Sequence, residues 1–230
     1  MGRAIGAILL RQIDIVVPFK KDGKILDVGC GNGEMIGWMK EYGWKTYGVD
    51  TSREACEQAE KQGLDVFCGE LQDAHFSSDF FDVITVNHVL EHVHNPLALL
   101  KECNRILKKD GLFIVDCPNF GCSDSRLFRE YWQQVDAPRH LYHFTRDTLN
   151  KILNAAGFEV HKWKFKFPFP VYDRVSIKFY KEDNEGVSSK HLLRRLILKD
   201  SLFKLIKYFL SKDRGSRFSV NLTAYASKSL

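Results

Sequence analysis

The chain has 230 residues, 44% apolar and 27% charged, which is enough to bury a core without staples and excludes a disordered or membrane-embedded composition. Its formal charge of +5 is unevenly spread: residues 160–230 hold 16 Lys/Arg against 6 Asp/Glu, leaving 18 against 23 in residues 1–159. Six cysteines (Cys30, Cys56, Cys68, Cys103, Cys117 and Cys122) form no C-x-x-C pair, so reduced thiols in a cytoplasmic protein are expected rather than a disulfide framework or zinc site.

One domain spanning residues 1–230 is expected. It opens on a helical lead-in over 1–22, whose AIGAILL segment is apolar but short, lacks a small-residue cleavage site and meets Arg11 and Asp14 at once, so it is not read as a signal peptide. No run reaches membrane-spanning length. The core, residues 23–167, alternates strands and helices: a strand in KILDVG, a helix over 34–42, a strand in KTYGVD, and a Thr51–Glu54 capping box starting a helix that ends near Gly63. Strands follow in DVFCG and FDVITVN. Asn95 and Pro96 suit the N-cap and first turn of the next helix, and Asp110–Gly111 turns the chain into LFIVDC. Thr145 opens a helix that Gly157 closes, FEVHKWKF is a further strand, and residues 218–228 hold the last. Such alternation predicts an α/β doubly wound parallel sheet with helices on both faces and a ligand at the strand carboxyl ends.

The first crossover carries the strongest signal. An apolar strand enters three alternate glycines, Gly29, Gly31 and Gly33, and Asp50 ends the next strand. A dinucleotide fingerprint would need a third glycine at 34 or 36, where Glu34 and Ile36 stand, and Glu34 in the first helical turn opposes a diphosphate. The run Asp27, Gly29, Cys30, Gly31, Gly33 therefore resembles motif I of class I S-adenosylmethionine-dependent methyltransferases. Asp50, with Thr51 beside it, then reads as the carboxylate accepting both ribose hydroxyls. Glu70 and Leu71, just after the third strand, are placed to border the adenine.

The resemblance extends through GVD ending at 50, FDVIT, LEHV, ILKKDG, CPN, PRHLYHFTRDTL and AAGF, and is similar to a bacterial branch containing quinone 3-O-methyltransferases and surface-glycan-associated enzymes. It implies a Rossmann-like, mostly parallel seven-stranded sheet with an antiparallel last strand and a helical insertion before it. It also implies that Asn87 and His88 flank the methionine end of S-adenosyl-L-methionine, whose product is S-adenosyl-L-homocysteine.

An activated methyl leaves little for the protein beyond alignment, water exclusion and proton removal. Histidine suits the last task near neutral pH, and His88, His92, His94, His140 and His143 fall where the acceptor is expected; His140 is the first choice as base and His92 the second. Glu91 with His92, and His140 with His143, also invite a divalent-ion reading, but no tight spacing forces them onto one point and no metal is entered. Residues 118–144 mix aromatic and basic side chains, as a lid over a polar or aromatic acceptor would; Tyr131, Trp132, Arg139 and His143 are its candidate substrate contacts, with a self-packed loop core as the alternative. NHVLEH after the FDVIT strand lacks the Asn/Asp-Pro-Pro-aromatic signature of amino-directed nucleic-acid enzymes, so a DNA or RNA base is disfavoured as acceptor.

Residues 168–217 are expected to form a basic helical insertion. Within 190–212, Leu192, Leu193, Leu196, Ile197, Phe203 and Ile206 recur at helical spacing between Arg and Lys, which suits packing on the same domain, self-association or contact with an anionic membrane face. The expected function is methyl transfer to a hydroxyl of a small molecule, a sugar or quinone-like compound. The alternatives are a catalytically silent cofactor-binding scaffold and a membrane-surface lipid methyltransferase.

Overall fold

A computed structural model describes residues 7–10, 15–18, 20–165, 176 and 219–229. The predicted lead-in helix is instead a hairpin: β1 (Ala7–Leu10) pairs antiparallel with β2 (Ile15–Pro18). Ile15, Val16 and Val17 are β-branched, stiff at χ1 and better suited to a pleated strand than to a helix. The hairpin is tied to the domain where the Val16 N–H donates to the Tyr225 hydroxyl at 3.1 Å.

The main sheet is built from β3 (Lys24–Val28), β4 (Lys45–Asp50), β5 (Val66–Cys68), β6 (Phe81–Asn87), β7 (Leu107–Pro118), β8 (Phe158–Lys164) and β9 (Asn221–Lys228), in the order β5-β4-β3-β6-β7-β9-β8. Six strands run in one direction, and β9 alone opposes them between β7 and β8, which makes the sheet seven-stranded and mostly parallel as expected. Parallel strands need crossover helices, and those cover both faces. On one face α1 (Glu34–Glu41) and α2 (Arg53–Lys61) pack Met35, Ile36, Met39 and Ala59 against Ile25, Val83 and Ile114. On the other, α3 (Pro96–Ile106) and α5 (Arg146–Ala155) pack Leu99, Leu100, Leu149 and Leu153 against Leu26, Ile84 and Phe113. Adjacent Ile25 and Leu26 thus serve opposite layers, as the pleat requires.

Local chemistry sets the helix ends. Asn95 caps α3 by accepting from the Ala98 N–H, and Thr145 with Thr148 forms a reciprocal capping box on α5. The predicted Thr51–Glu54 box does not form: Ser52 caps α2, accepting from the Ala55 N–H, because the preceding Asp50 carboxylate holds the Ser52 N–H at 2.8 Å and fixes the chain's entry one residue later. The predicted Asp110–Gly111 turn is absorbed into a long β7: Phe81 pairs with Leu107 and Val83 with Leu112, so residues 108–111 bulge out of register rather than preceding the strand. The basic insertion over 168–217, with its 190–212 stripe, lies outside the described residues apart from Ser176.

Candidate active site

The glycine elbow between β3 and α1 is held by main-chain bonds. Gly29 and Cys30 both donate their N–H groups to the Val49 carbonyl, at 2.7 and 3.1 Å, which locks the elbow to the end of β4. Gly29 has φ +74°, and a Cβ there would lie 2.1 Å from Val89 Cγ2, so no side chain fits. Gly31 is different: a Cβ would meet nothing within 4 Å, and its N–H donates to Asp50 Oδ2 at 2.8 Å. With Ser52 N–H on the other oxygen, Asp50 is fixed by one backbone donor per carboxylate lobe, and its remaining lone pairs are available to a diol.

Asp27 supports the elbow from below. Its buried carboxylate accepts from Thr85 Oγ1 at 2.6 Å; burial pushes its pKa up to about 7, against that hydrogen bond and with the Asp50 charge adding to the rise. It is a positioning residue, since it does not line the cavity beside the elbow. The Cys30 side chain likewise turns away, packing against Gly48, and burial raises its thiol well above the ordinary range.

A cavity of about 630 Å³ opens at the carboxyl ends of β3 to β6, a size suited to a small ligand. Gly29, Asp50, Thr51, Glu70 and Leu71 line one end, and His88, His92 and His94 the other. Of the predicted cofactor residues, these lie on its wall, while Asp27, Cys30, Gly31, Gly33 and Asn87 do not. Sequence reading missed Val89, Val93 and Leu99, apolar wall residues that only the turn after β6 brings round.

His88 has φ +53° and stands, itself exposed, against the buried carboxylates of Glu91 and Asp116. Its Nδ1 meets Glu91 Oε1 at 3.2 Å and its Nε2 meets Asn221 Nδ2 at 3.0 Å; Asn221 Nδ2 also donates to Asp116 Oδ1 at 2.9 Å. Nδ1 thus faces a carboxylate, which only accepts, while Nε2 faces the Asn221 amide and, at 3.4 Å, Asp116 Oδ1. Asn221 comes from β9, more than a hundred residues away, so no local pattern could point to it.

The lid docks on this loop through its backbone. Leu141 and Tyr142 N–H groups both donate to the Glu91 carbonyl, and the Tyr142 hydroxyl donates to the His94 carbonyl at 3.0 Å. His140 is thereby brought beside His92, with ring centroids 4.7 Å apart and the planes edge to face. His92 Nδ1 lies 3.0 Å from the Arg139 carbonyl and His140 Nδ1 2.7 Å from the Gln134 carbonyl. A carbonyl cannot donate, so each ring directs an Nδ1–H at its carbonyl.

The four predicted substrate contacts lie elsewhere. Trp132 is buried with Cys122 and Phe128, and Tyr131 packs against that group, because the first half of the lid, including α4 (Ser123–Phe128), forms its own small core. Arg139 faces Asp136 at 3.5 Å, and His143 bonds the Val135 carbonyl and packs on Phe120. None of the four lines the cavity.

A doubly wound sheet with an antiparallel strand inserted at one edge, a glycine elbow and a carboxylate fixed beside it defines the class of Rossmann-like S-adenosylmethionine-dependent methyltransferases. The chemistry of the lining suits that cofactor: the Asp50 carboxylate has acceptor capacity left for a diol, and Leu71 offers an apolar surface to a base. The chain belongs to the family described as a methyltransferase domain, whose sequence model matches residues 1–162. It is 36% identical over 137 residues to an uncharacterized protein of Methanocaldococcus jannaschii, covering 60% of this chain and 65% of that one. It is 32% identical over 107 residues to the ubiquinone biosynthesis O-methyltransferase of Glaesserella parasuis, covering 42% and 45%. The chain thus spans under half of that enzyme. A SAM-dependent methyltransferase structure from Archaeoglobus fulgidus shares the fold, with TM-score 0.62, 22% identity and coverage of 90% and 86%. A methyltransferase of Haloferax volcanii, in complex with the Trm112 activator, shares it at TM-score 0.63 and 17% identity, covering 93% and 85%.

Proposed function

We propose that this methyltransferase delivers its methyl group to a hydroxyl oxygen of a small molecule, of sugar or quinone-like type. The reading rests on His92: a wall residue of the cavity that also holds Asp50 and Gly29, with its Nδ1–H committed to a carbonyl, so that in the neutral ring Nε2 is the acceptor. The likeness to a ubiquinone biosynthesis O-methyltransferase supports oxygen as the acceptor element.

S-Adenosylmethionine supplies an electrophilic methyl on a sulfonium that leaves as a neutral thioether. The chain's own tasks are then limited. Asp50 grips the diol, Leu71 and Glu70 border the base, and the apolar Val89, Val93 and Leu99 exclude water from the reacting end. His92 or His140 takes the acceptor's proton on Nε2, a task for which an imidazole needs no large pKa tuning. His140 acts across the edge-to-face contact from the lid side, so acceptor chemistry is coupled to lid docking.

The test is S-adenosylhomocysteine release with pools of hydroxylated small molecules, compared between native protein and His140→Ala. Release lowered roughly 10²-fold or more, at unchanged cofactor affinity, is expected when the base is lost. Tight cofactor binding with no release from any hydroxyl pool would favour a silent binding scaffold instead.

A further inference from the structure

We propose that Cys56 and Cys68 form a peroxide-sensitive thiol pair, which closes to a reversible disulfide and so loosens the hold on the cofactor. Cys56 lies on α2 and Cys68 ends β5, so the crossover brings together two residues twelve positions apart. Strand alternation turns Val66 toward the layer of α1 and α2 and Phe67 toward the opposite one, which returns Cys68 to the α2 face. Cys56 is buried beside Ala59 on the sheet-facing side of α2, and its thiol lies within hydrogen-bonding reach of the Cys68 thiol.

The pair differs from the remaining cysteines. Cys30, Cys103, Cys117 and Cys122 are all buried, and Cys68 is the one exposed thiol of the six. Burial, and then the facing Cys68 thiol, push the Cys56 thiol up to about 12, so at neutral pH it stays S–H and reacts second. An accessible thiol with another packed against it is suited to oxidation followed by resolution. The Cys68 sulfur, as thiolate, attacks one oxygen of hydrogen peroxide; the O–O bond breaks, Cys68 becomes a sulfenic acid, and the departing hydroxide takes up the Cys68 proton as water. The Cys56 sulfur then displaces the sulfenic hydroxyl: the S–O bond breaks, the S–S bond forms, and the Cys56 proton leaves with that oxygen as a second water. The two thiols together give up two electrons, and the peroxide takes both.

The pair sits directly behind the cofactor wall. Asp50 is the ladder partner of Cys68, and its carbonyl accepts from the Gly69 N–H at 2.9 Å and meets Cys56 Sγ at 3.4 Å. Thr51, Gly69 and Glu70 line the cavity, and the Asp50 carboxylate is held in part by the N–H of Ser52, the residue that caps α2. A disulfide removes the Cys56 proton from the Asp50 carbonyl and draws α2 toward β5 until the sulfurs are about 2 Å apart. The Ser52 contact and the Gly69 turn then shift against each other, which weakens the grip of Asp50. The effect falls on cofactor binding and holds whatever acceptor is methylated.

Treatment of the full chain with a small excess of hydrogen peroxide, followed by a thiol count in denaturant and a non-reducing peptide map, reads the cross-link. A fall from six thiols to four is expected, with one peptide joining Cys56 to Cys68. Calorimetry with S-adenosylhomocysteine should then show affinity lowered roughly fivefold or more. Dithiothreitol should restore it, which separates the disulfide from methionine oxidation, a lesion that thiols leave in place. Cys68→Ser should bind like reduced native protein and keep that affinity through peroxide treatment. Cys68 is exposed, so this variant stays informative if Cys56→Ala fails to fold. A Cys68 sulfinic or sulfonic acid without the cross-link, a disulfide joining two chains, or unchanged affinity in the cross-linked protein would overturn the proposal.

Discussion

At the residue scale, the site depends on positions where backbone must come close to backbone or ligand. Gly29 is the sharpest case: alanine there would carry a Cβ in a left-handed conformation and against Val89. Gly29→Ala should cost about 1–3 kcal/mol of stability and displace the loop after β6, read as a lowered thermal midpoint together with weakened cofactor binding. A midpoint and affinity like those of native protein would show that the elbow tolerates a side chain. The glycine elbow and the carboxylate beside it were legible in the sequence because a tight turn demands glycine and a carboxylate at a strand end stands out at a fixed place. The contact between Glu91, His92 and His140 was not, since it depends on where a lid settles, and lid residues carry no period that fixes their partners. Trp132 packs in the lid's own core and not on the cavity wall, and an aromatic side chain reads the same in a sequence whether it faces a substrate or its own loop.

Among the elements, the main strands and the helix starts at Asn95 and Thr145 were legible in pattern and local chemistry, whereas the α2 cap, the N-terminal hairpin and the bulge in β7 were not. Asn95–Pro96 and Thr145 cap their helices as their side chains dictate. The N-terminal hairpin and the bulge at 108–111 depend on strand pairing, which a run of apolar residues does not encode. The lid is an element of its own, with a core of Cys122, Phe128 and Trp132. Trp132→Ala should loosen that core by about 3–5 kcal/mol locally, raising amide hydrogen exchange through residues 122–135 while cofactor affinity stays within about twofold. Exchange rates unchanged from native would mean that the lid is held only by its backbone bonds to Glu91.

Across the described residues, the sheet order brings the cavity-lining Gly29, Asp50, Glu70 and His92 to one edge, and charges at the opposite edge hold the strands in place. Asp82, at the start of β6, accepts from Lys20, Lys108 and the Lys24 N–H and so joins β3, β6 and β7. Burial alone would raise its pKa, but the bonds from Lys108 and Lys20 outweigh it and hold the carboxyl down to about 2. With the folded value below the ordinary 3.8, this group stabilises the fold above about pH 4, and that contribution fades as pH falls toward 2. Native protein should therefore lose about 2 kcal/mol between those limits through this group, and Asp82→Asn should show a correspondingly flatter acid limb in chemical unfolding. Parallel acid limbs in the two proteins would remove Asp82 from that role. Among the described residues no helix is long and apolar enough to cross a membrane.

Calorimetry of the pure chain with S-adenosylhomocysteine tests the central claim most directly, run beside Asp50→Ala and beside NAD as a dinucleotide control. The account predicts saturable one-to-one heat for the native chain, binding roughly tenfold to a hundredfold weaker once the Asp50 carboxylate is gone, and no heat with NAD. Saturation by NAD with no response to the adenosyl thioether, or full affinity in Asp50→Ala, would contradict it.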